Sequence, residues 1–229
     1  MKEMIFTLIL IFSVTGTLFC DSASEKEKTG NDAKTKKKKL SSSMKNQFIA
    51  KDENPKFIEA MIIHFQGVEG DKEAVHKSAE LFEKLVKENP ENPKYRAYLG
   101  SSYNLEGRDA FFFWTKKKFL DKGTKLLNQA VKEAPESTEL RMLRGMNNVH
   151  LPKFFKRSQL CIEDFTSILN NKEFNYWEPE FRQEVYYYLG LAYQKNENEE
   201  SAKKNWEICI KMNPESKFGK LAKKKMSAE

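Results

Sequence analysis

Residues 186–216 read YYYLGLAYQKNENEESAKKNWEICIKMNPES, with one glycine among large apolar residues near the start. Gly190 lies inside a run that otherwise has the pattern of a helix. A glycine in a helix interior destabilises the helix by about 1 kcal/mol relative to alanine. We therefore expect Gly190 to permit a close contact that offsets this loss.

The spacing of large and small residues around Gly190 resembles that of the tetratricopeptide repeat (TPR), a 34-residue unit. Here the unit spans 183–216, and the matching residues are Tyr186, Leu189, Gly190, Tyr193, Ala202, Trp206, Cys209 and Pro214. The resemblance implies two antiparallel helices, A and B. The small residues let the two helices approach each other, and the large residues fill the remaining space.

Weaker copies of this unit precede it in the chain, at 59–92, 93–137 and 138–182. Residues 217–229 are expected to form a short basic capping helix. The resemblance thus predicts an all-α protein, an α-solenoid of about four TPR-like helix-turn-helix units with a C-terminal capping helix. A plain helical bundle is the alternative.

Two units depart from the TPR pattern. The second carries an insertion around 109–120, which is expected to lengthen its A–B hairpin. The third has Arg141 and Arg144 where bulky apolar residues are usual. The neighbouring carboxylates Glu163 and Asp164 are assigned to solvated helix surfaces.

The N-terminal segment, MKEMIFTLILIFSVTGTLFC, resembles a bacterial lipoprotein signal peptide. Its apolar run from Met4 to Phe19 is about 24 Å long as a helix, shorter than the roughly 30 Å hydrocarbon core. The resemblance implies removal of 1–19 and acylation of Cys20, which would anchor the chain to a membrane of the bacterial cell envelope, facing the periplasm or the cell exterior. The family usually has a small residue where this chain has Phe19. Secretion with cleavage near Gly16 and an uncleaved anchor are the alternatives.

Residues 20–47 are rich in lysine and serine, and we expect them to form a disordered linker. Between 21 and 47, eight lysines and four acidic residues give +4 of the formal net charge of +7. The remaining part, 48–229, is predicted to be the TPR-like domain, and its charge is close to balanced. This distribution argues against a nucleic-acid partner.

No motif for catalysis or for cofactor or metal binding stands out. The sequence has no nucleophile elbow and no Gly-rich phosphate loop, and its cysteines and histidines lack zinc-ligand spacing. We therefore predict a protein that is not an enzyme and has no cofactor. The repeat register places Cys161 and Cys209 roughly 10 Å apart along their helices, beyond disulfide reach, so both are expected to be buried free thiols.

The stretch FFFWTKKKF (111–119) interleaves aromatic and basic residues. Successive helical residues turn by about 100°, so one helix face cannot bury four consecutive aromatic residues. Most of the run is expected to fill the core, and at least one ring is expected to face solvent or a neighbour. A partner-binding or membrane-dipping patch and a nucleic-acid stacking surface are the alternatives.

In the TPR family, A-helix residues line a concave groove that binds protein or peptide segments. Carried onto this chain, the resemblance implies a partner groove that includes Tyr187, Leu191, Gln194, Lys195, Met142, Met146 and Asn104. One alternative is that the chain itself covers these apolar residues. Another is that the protein handles a small apolar ligand beside an envelope transporter, with the lengthened second unit closing a pocket over it.

Overall fold

A computed structural model describes residues 54–227 as an all-α solenoid; the signal peptide, Cys20 and linker predicted at 1–47 lie outside the described residues. No β-strand occurs between Asn54 and Ser227. The α-helices of this part are α1 (Pro55–Val68), α2 (Lys72–Glu88), α3 (Pro93–Asp109), α4 (Phe113–Glu133), α5 (Thr138–Val149), α6 (Ser158–Leu169), α7 (Pro179–Lys195), α8 (Glu199–Met212) and α9 (Lys217–Met226). Short 3₁₀ helices lie at Lys153–Phe155 and Phe174–Tyr176.

Polar side chains fix where most of these helices begin. The side chain of Asn54 accepts hydrogen bonds from the backbone N–H groups of Lys56 and Phe57 at the start of α1. The same kind of cap stands before five other helices, at Asp71, Asn92, Ser137, Asn198 and Ser216. Proline occupies the first turn of α1, α3 and α7, where its missing N–H leaves no helical hydrogen bond unmade.

The helices pack as consecutive pairs, α1 with α2, α3 with α4, α5 with α6, and α7 with α8. We call the first helix of each pair its A helix and the second its B helix. Short connections make the two members of a pair antiparallel, so all A–B turns lie at one edge of the solenoid and all B–A turns at the other. Helix α9 packs against α8 and α7 and closes the array.

The close contact predicted at Gly190 is confirmed. A Cβ atom added at Gly190 would lie 2.6 Å from Cδ1 of Trp206, which is completely buried on α8. The indole N–H of Trp206 donates a hydrogen bond to the backbone oxygen of Tyr187, 3.2 Å away. Gly145 of α5 faces the ring of Phe165 of α6 in the same way. Glycine at the crossing therefore lets a large ring of the B helix lie against the A-helix backbone.

The insertion in the second pair is mostly helical. Helix α4 has 21 residues, whereas α6 in the next pair has 12. The prediction that most of the aromatic run fills the core is wrong, because the run forms the α3–α4 turn and the start of α4, at the end of the hairpin. Phe111, Phe112 and Trp114 are exposed there, and Phe113 is half-buried.

The third pair contains a buried ion-pair cluster. Asp164 of α6 is completely buried, so its assignment to a solvated surface is wrong, whereas Glu163 is exposed. Arg144 of α5 donates to both carboxylate oxygens of Asp164, from Nε at 2.8 Å and from Nη2 at 2.6 Å. Arg141 adds a bond from Nη1 at 3.1 Å. The two arginines occupy positions usual for apolar residues because they neutralise a carboxylate inside the helix pair.

Cys161 and Cys209 are buried free thiols, as predicted. Burial raises the pKa of each thiol to about 12, so both stay protonated at neutral pH. Their role is to fill small positions on α6 and α8.

Candidate functional site

A cavity of about 200 Å³ opens on the face formed by the A helices, and we call it the A-helix cavity. Its wall is mainly apolar, and each A helix also contributes polar side chains to it. Its lining residues include His64, Tyr98, Ser101, Asn104, Leu105, Arg108, Leu143, Met146, Asn147, His150, Leu151, Pro152, Glu184 and Tyr188. Every A helix contributes to this set, so the cavity depends on the stacking of all four pairs.

A chain of hydrogen bonds links polar side chains at the A-helix cavity. The amide of Asn104 donates to Oδ1 of Asn147 at 3.0 Å, and the amide of Asn147 donates to Oγ of Ser101 at 3.1 Å. Oγ of Ser101 lies 3.2 Å from Nε2 of His64, and Nδ1 of His64 lies 3.0 Å from Oγ of Ser102. These bonds tie α1, α3 and α5 together beneath the cavity.

His64 is neutral at physiological pH. Burial lowers its pKa from 6.5 to about 3, and the positive charge of Arg108 contributes to the lowering. Burial likewise lowers the pKa of His150 to about 4, with contributions from Lys195 and Lys225. The two imidazoles on the cavity wall therefore act as uncharged hydrogen-bonding groups near neutral pH.

The buried state of His64 predicts a loss of stability in acid. The unfolded chain takes up a proton near pH 6.5 and the folded chain only near pH 3, so stability is full above pH 6.5 and falls as the pH drops through this window. Between pH 7 and pH 5, His64 should account for a loss of about 2 kcal/mol in the free energy of unfolding. Urea unfolding of the wild type and of His64→Gln at both pH values measures this difference.

His76 provides the control for this prediction. It is exposed, and its hydrogen bond with Glu106 raises its pKa, so His76→Gln should not reduce the acid-induced loss. An equal loss between pH 7 and pH 5 in the wild type and in His64→Gln would contradict the assignment of His64 as a buried neutral group.

Only some of the residues predicted for the partner groove line the A-helix cavity. Asn104 and Met146 line the A-helix cavity. The other five, Met142, Tyr187, Leu191, Gln194 and Lys195, are absent from its lining. Of these, Met142, Tyr187 and Leu191 are buried in the core, whereas Gln194 and Lys195 are half-buried.

Contacts with two other segments of the chain account for the burial of Tyr187 and Lys195 on α7. The ring of Tyr187 packs on Phe218 of α9 with a centroid distance of 5.7 Å, so the capping helix covers it. Nζ of Lys195 donates to the backbone oxygen of Leu151 at 2.6 Å, in the turn after α5. Burial lowers the pKa of Lys195 to about 8.

At one position of each A helix, the cavity is lined by the residue that follows the one indicated by the TPR resemblance. The residues indicated at this position include Met142 and Tyr187, which are buried between helices. The next residue in each A helix lines the cavity instead, as His64, Tyr98, Leu143 and Tyr188. One residue corresponds to a rotation of about 100° around a helix. The recurrence of large side chains in this column is the sequence signal that could have identified it.

Neither a metal-binding cluster nor a membrane-spanning helix occurs in the part of the chain that the structure describes. Among residues 54–227, no group of three His, Cys, Asp or Glu side chains is placed to hold a metal ion. Each helix in this range is too short or too polar to span a bilayer.

Comparison with known proteins identifies the fold. No family model and no curated protein matches this sequence. The crystal structure of TTC0263, a thermophilic TPR protein of Thermus thermophilus, is similar with a TM-score of 0.53 and 15% identity, over 71% of this chain and 78% of that chain.

Two structures of MamA are also similar, at greater distance. One is a mutant, with a TM-score of 0.46 and 15% identity over 74% of this chain and 89% of that chain. The other is from AMB-1, with a TM-score of 0.44 and 16% identity over 74% and 84%. The similarity to TTC0263, together with the helix pairs described above, makes the fold of this chain TPR-like.

Proposed function

We propose that this chain is a lipid-anchored, non-catalytic scaffold of a bacterial cell envelope that binds a segment of another protein in the A-helix cavity. The observation that carries the proposal is the cavity itself, a mainly apolar recess built jointly by the four A helices. Its polar side chains offer hydrogen-bonding groups that can orient a bound segment.

The size of the cavity favours a protein segment over a drug-sized ligand. Pockets that hold drug-sized ligands enclose roughly 300–1,000 Å³. The A-helix cavity encloses about 200 Å³, which suits an apolar side chain inserted from a larger partner. The partner is therefore proposed to present one anchoring apolar residue to Leu105, Leu143 and Met146, with its backbone passing over the polar side chains.

Filling the cavity tests the binding proposal. In cells producing the full chain, Met146→Trp should reduce the capture of a crosslinked partner at least about tenfold, because the indole takes the space of the anchoring side chain. Ile62→Trp is the matched control, since Ile62 is exposed on α1 and lies outside the cavity lining. Equal capture by the two variants would place the binding surface elsewhere.

Anchoring is proposed from the sequence, with removal of 1–19, acylation of Cys20 and a tether at 20–47. A flexible tether of about 27 residues has a root-mean-square reach on the order of 30 Å, which would keep the TPR-like domain close to the membrane. Two or three acyl chains hold a protein on a membrane far more firmly than one.

The anchor is tested by detergent phase separation. The wild-type chain should enter the detergent phase, and Cys20→Ser should shift to the aqueous phase because acylation is lost. Ser22→Ala changes a neighbouring residue and should partition like the wild type. Detergent partitioning of Cys20→Ser would support an uncleaved anchor instead of a lipoprotein.

A further inference from the structure

Large aromatic side chains are exposed at two successive A–B turns. Phe111 is 88% exposed in the α3–α4 turn and Trp114 is 67% exposed at the start of α4, next to the half-exposed Phe112. Phe112 stacks on Trp114 with ring centroids 4.7 Å apart, and Phe111 contacts Phe112 edge to face at 5.1 Å. Phe154 is exposed in the α5–α6 turn. Clustered exposed rings of this kind mark an interaction surface.

The two turns lie at the same end of the A-helix cavity. Arg108, just before the first turn, and Leu151 and Pro152, which begin the second, all line this one cavity. The aromatic residues of both turns therefore lie on the same edge of the solenoid. We call Phe111, Phe112, Trp114 and Phe154 the aromatic edge.

Lysines accompany the rings in both turns. The exposed lysines of this region are Lys117, Lys118, Lys153 and Lys156. Asp121 pairs with Lys117, and Glu197 pairs with Lys153 at 3.4 Å. Arg108 pairs with Asp109 and also donates to the backbone oxygen of Gly67 at 2.9 Å. Basic groups thus outnumber acidic groups around the aromatic edge.

We propose that the aromatic edge docks into the headgroup region of a bilayer that contains anionic phospholipids. Trp and Phe rings at turn tips match the amphipathic level between headgroups and acyl chains, and the lysines match the lipid phosphates. A membrane fits these observations better than a protein partner does. The rings project from turns instead of lining a recess, and the lysines around them need no shaped partner.

This orientation goes beyond the proposed anchor, because it concerns which edge of the folded domain meets the lipid. It would hold the A–B turns against the membrane and turn the B–A turns away from it. Tyr176, in the α6–α7 turn at the opposite edge, is as exposed as Phe111, at 88%, and so provides a matched control.

Lipid-dependent quenching of Trp114 tests the proposal. The full chain is reconstituted in vesicles of phosphatidylcholine with brominated acyl chains, with or without phosphatidylglycerol, and only the fraction that floats with the vesicles is measured. The Trp114 signal is the difference between the wild type and Trp114→Phe. We expect Trp114 to be quenched in the anionic vesicles, at least about twofold more than in the neutral ones.

Two variants test whether the quenching depends on the aromatic edge or on exposed rings elsewhere on the surface. Combined substitution Phe111→Ser, Phe112→Ser and Phe154→Ser should abolish the quenching, whereas Tyr176→Ser should leave it unchanged. Helical circular dichroism and thermal unfolding of each variant establish that the fold is retained. Flotation of the chain with the vesicles is measured separately from quenching. Loss of the lipid anchor would reduce flotation, whereas failure of the aromatic edge to dock would leave Trp114 unquenched in the chains that float.

Unquenched Trp114 in floated chains of both vesicle types would overturn the proposal and make a protein the occupant of this surface. Equal quenching with and without phosphatidylglycerol, or full quenching in the triple variant, would overturn it as well.

Discussion

Replacing Asp164 by Asn should lower the free energy of unfolding by about 3–5 kcal/mol. The carboxylate is completely buried and receives three hydrogen bonds from Arg141 and Arg144. Burial raises the pKa of Asp164, and the two guanidinium groups oppose that rise. An amide of the same shape removes the negative charge and leaves two arginines inside the third pair without their counter-ion, which is costly in a low-dielectric interior.

Urea unfolding of Asp164→Asn and Glu163→Gln measures this effect. Glu163 is the preceding residue and is exposed, so its substitution should change the free energy of unfolding by less than about 0.5 kcal/mol. Similar values for the two variants would mean that the cluster of Asp164, Arg141 and Arg144 contributes little to stability.

Replacing Gly190 by Val should lower the free energy of unfolding by about 3 kcal/mol. The added Cβ would lie 2.6 Å from Cδ1 and 2.8 Å from Cε2 of Trp206. The indole cannot move away easily, because it is completely buried and bonded to the backbone oxygen of Tyr187. Helices α7 and α8 would have to separate, which would open the packing of the last pair.

Glu207→Val is the matched control for this substitution. Glu207 is exposed on α8, so this variant places a β-branched residue in a helix without creating a clash. Its expected loss is below about 1 kcal/mol. Equal melting temperatures for the two variants would show that Gly190 does not mark a helix crossing.

The sequence predicted those features that depend on short spacings. The pattern around Gly190 predicted the crossing with Trp206, because both residues belong to one helix pair. Buried free thiols at Cys161 and Cys209 followed from the same register. The arginines of the third pair were recognised as unusual, but their partner was not, because Asp164 lies on the other helix of the pair and its burial depends on how the two helices pack.

Features that depend on packing between several elements were harder to predict. Tyr187 was expected in an open groove, yet Phe218 of the capping helix packs on it. The cavity residues His64 and Tyr188 were missed because the lining column lies one residue further along each helix. The aromatic run was expected mainly in the core, since the sequence does not show that it forms an exposed hairpin end.

Site-specific photocrosslinking in cells is the most direct test of partner binding in the A-helix cavity. A photoreactive phenylalanine analogue at Leu105, on the cavity wall, is compared with the same analogue at Lys204, an exposed position on α8 outside the cavity lining. We expect a discrete crosslinked protein from position 105, lost when Met146→Trp is added, and none from position 204. Crosslinks from position 204 alone, or crosslinks from position 105 that persist with Met146→Trp, would show that the partner does not bind in the A-helix cavity.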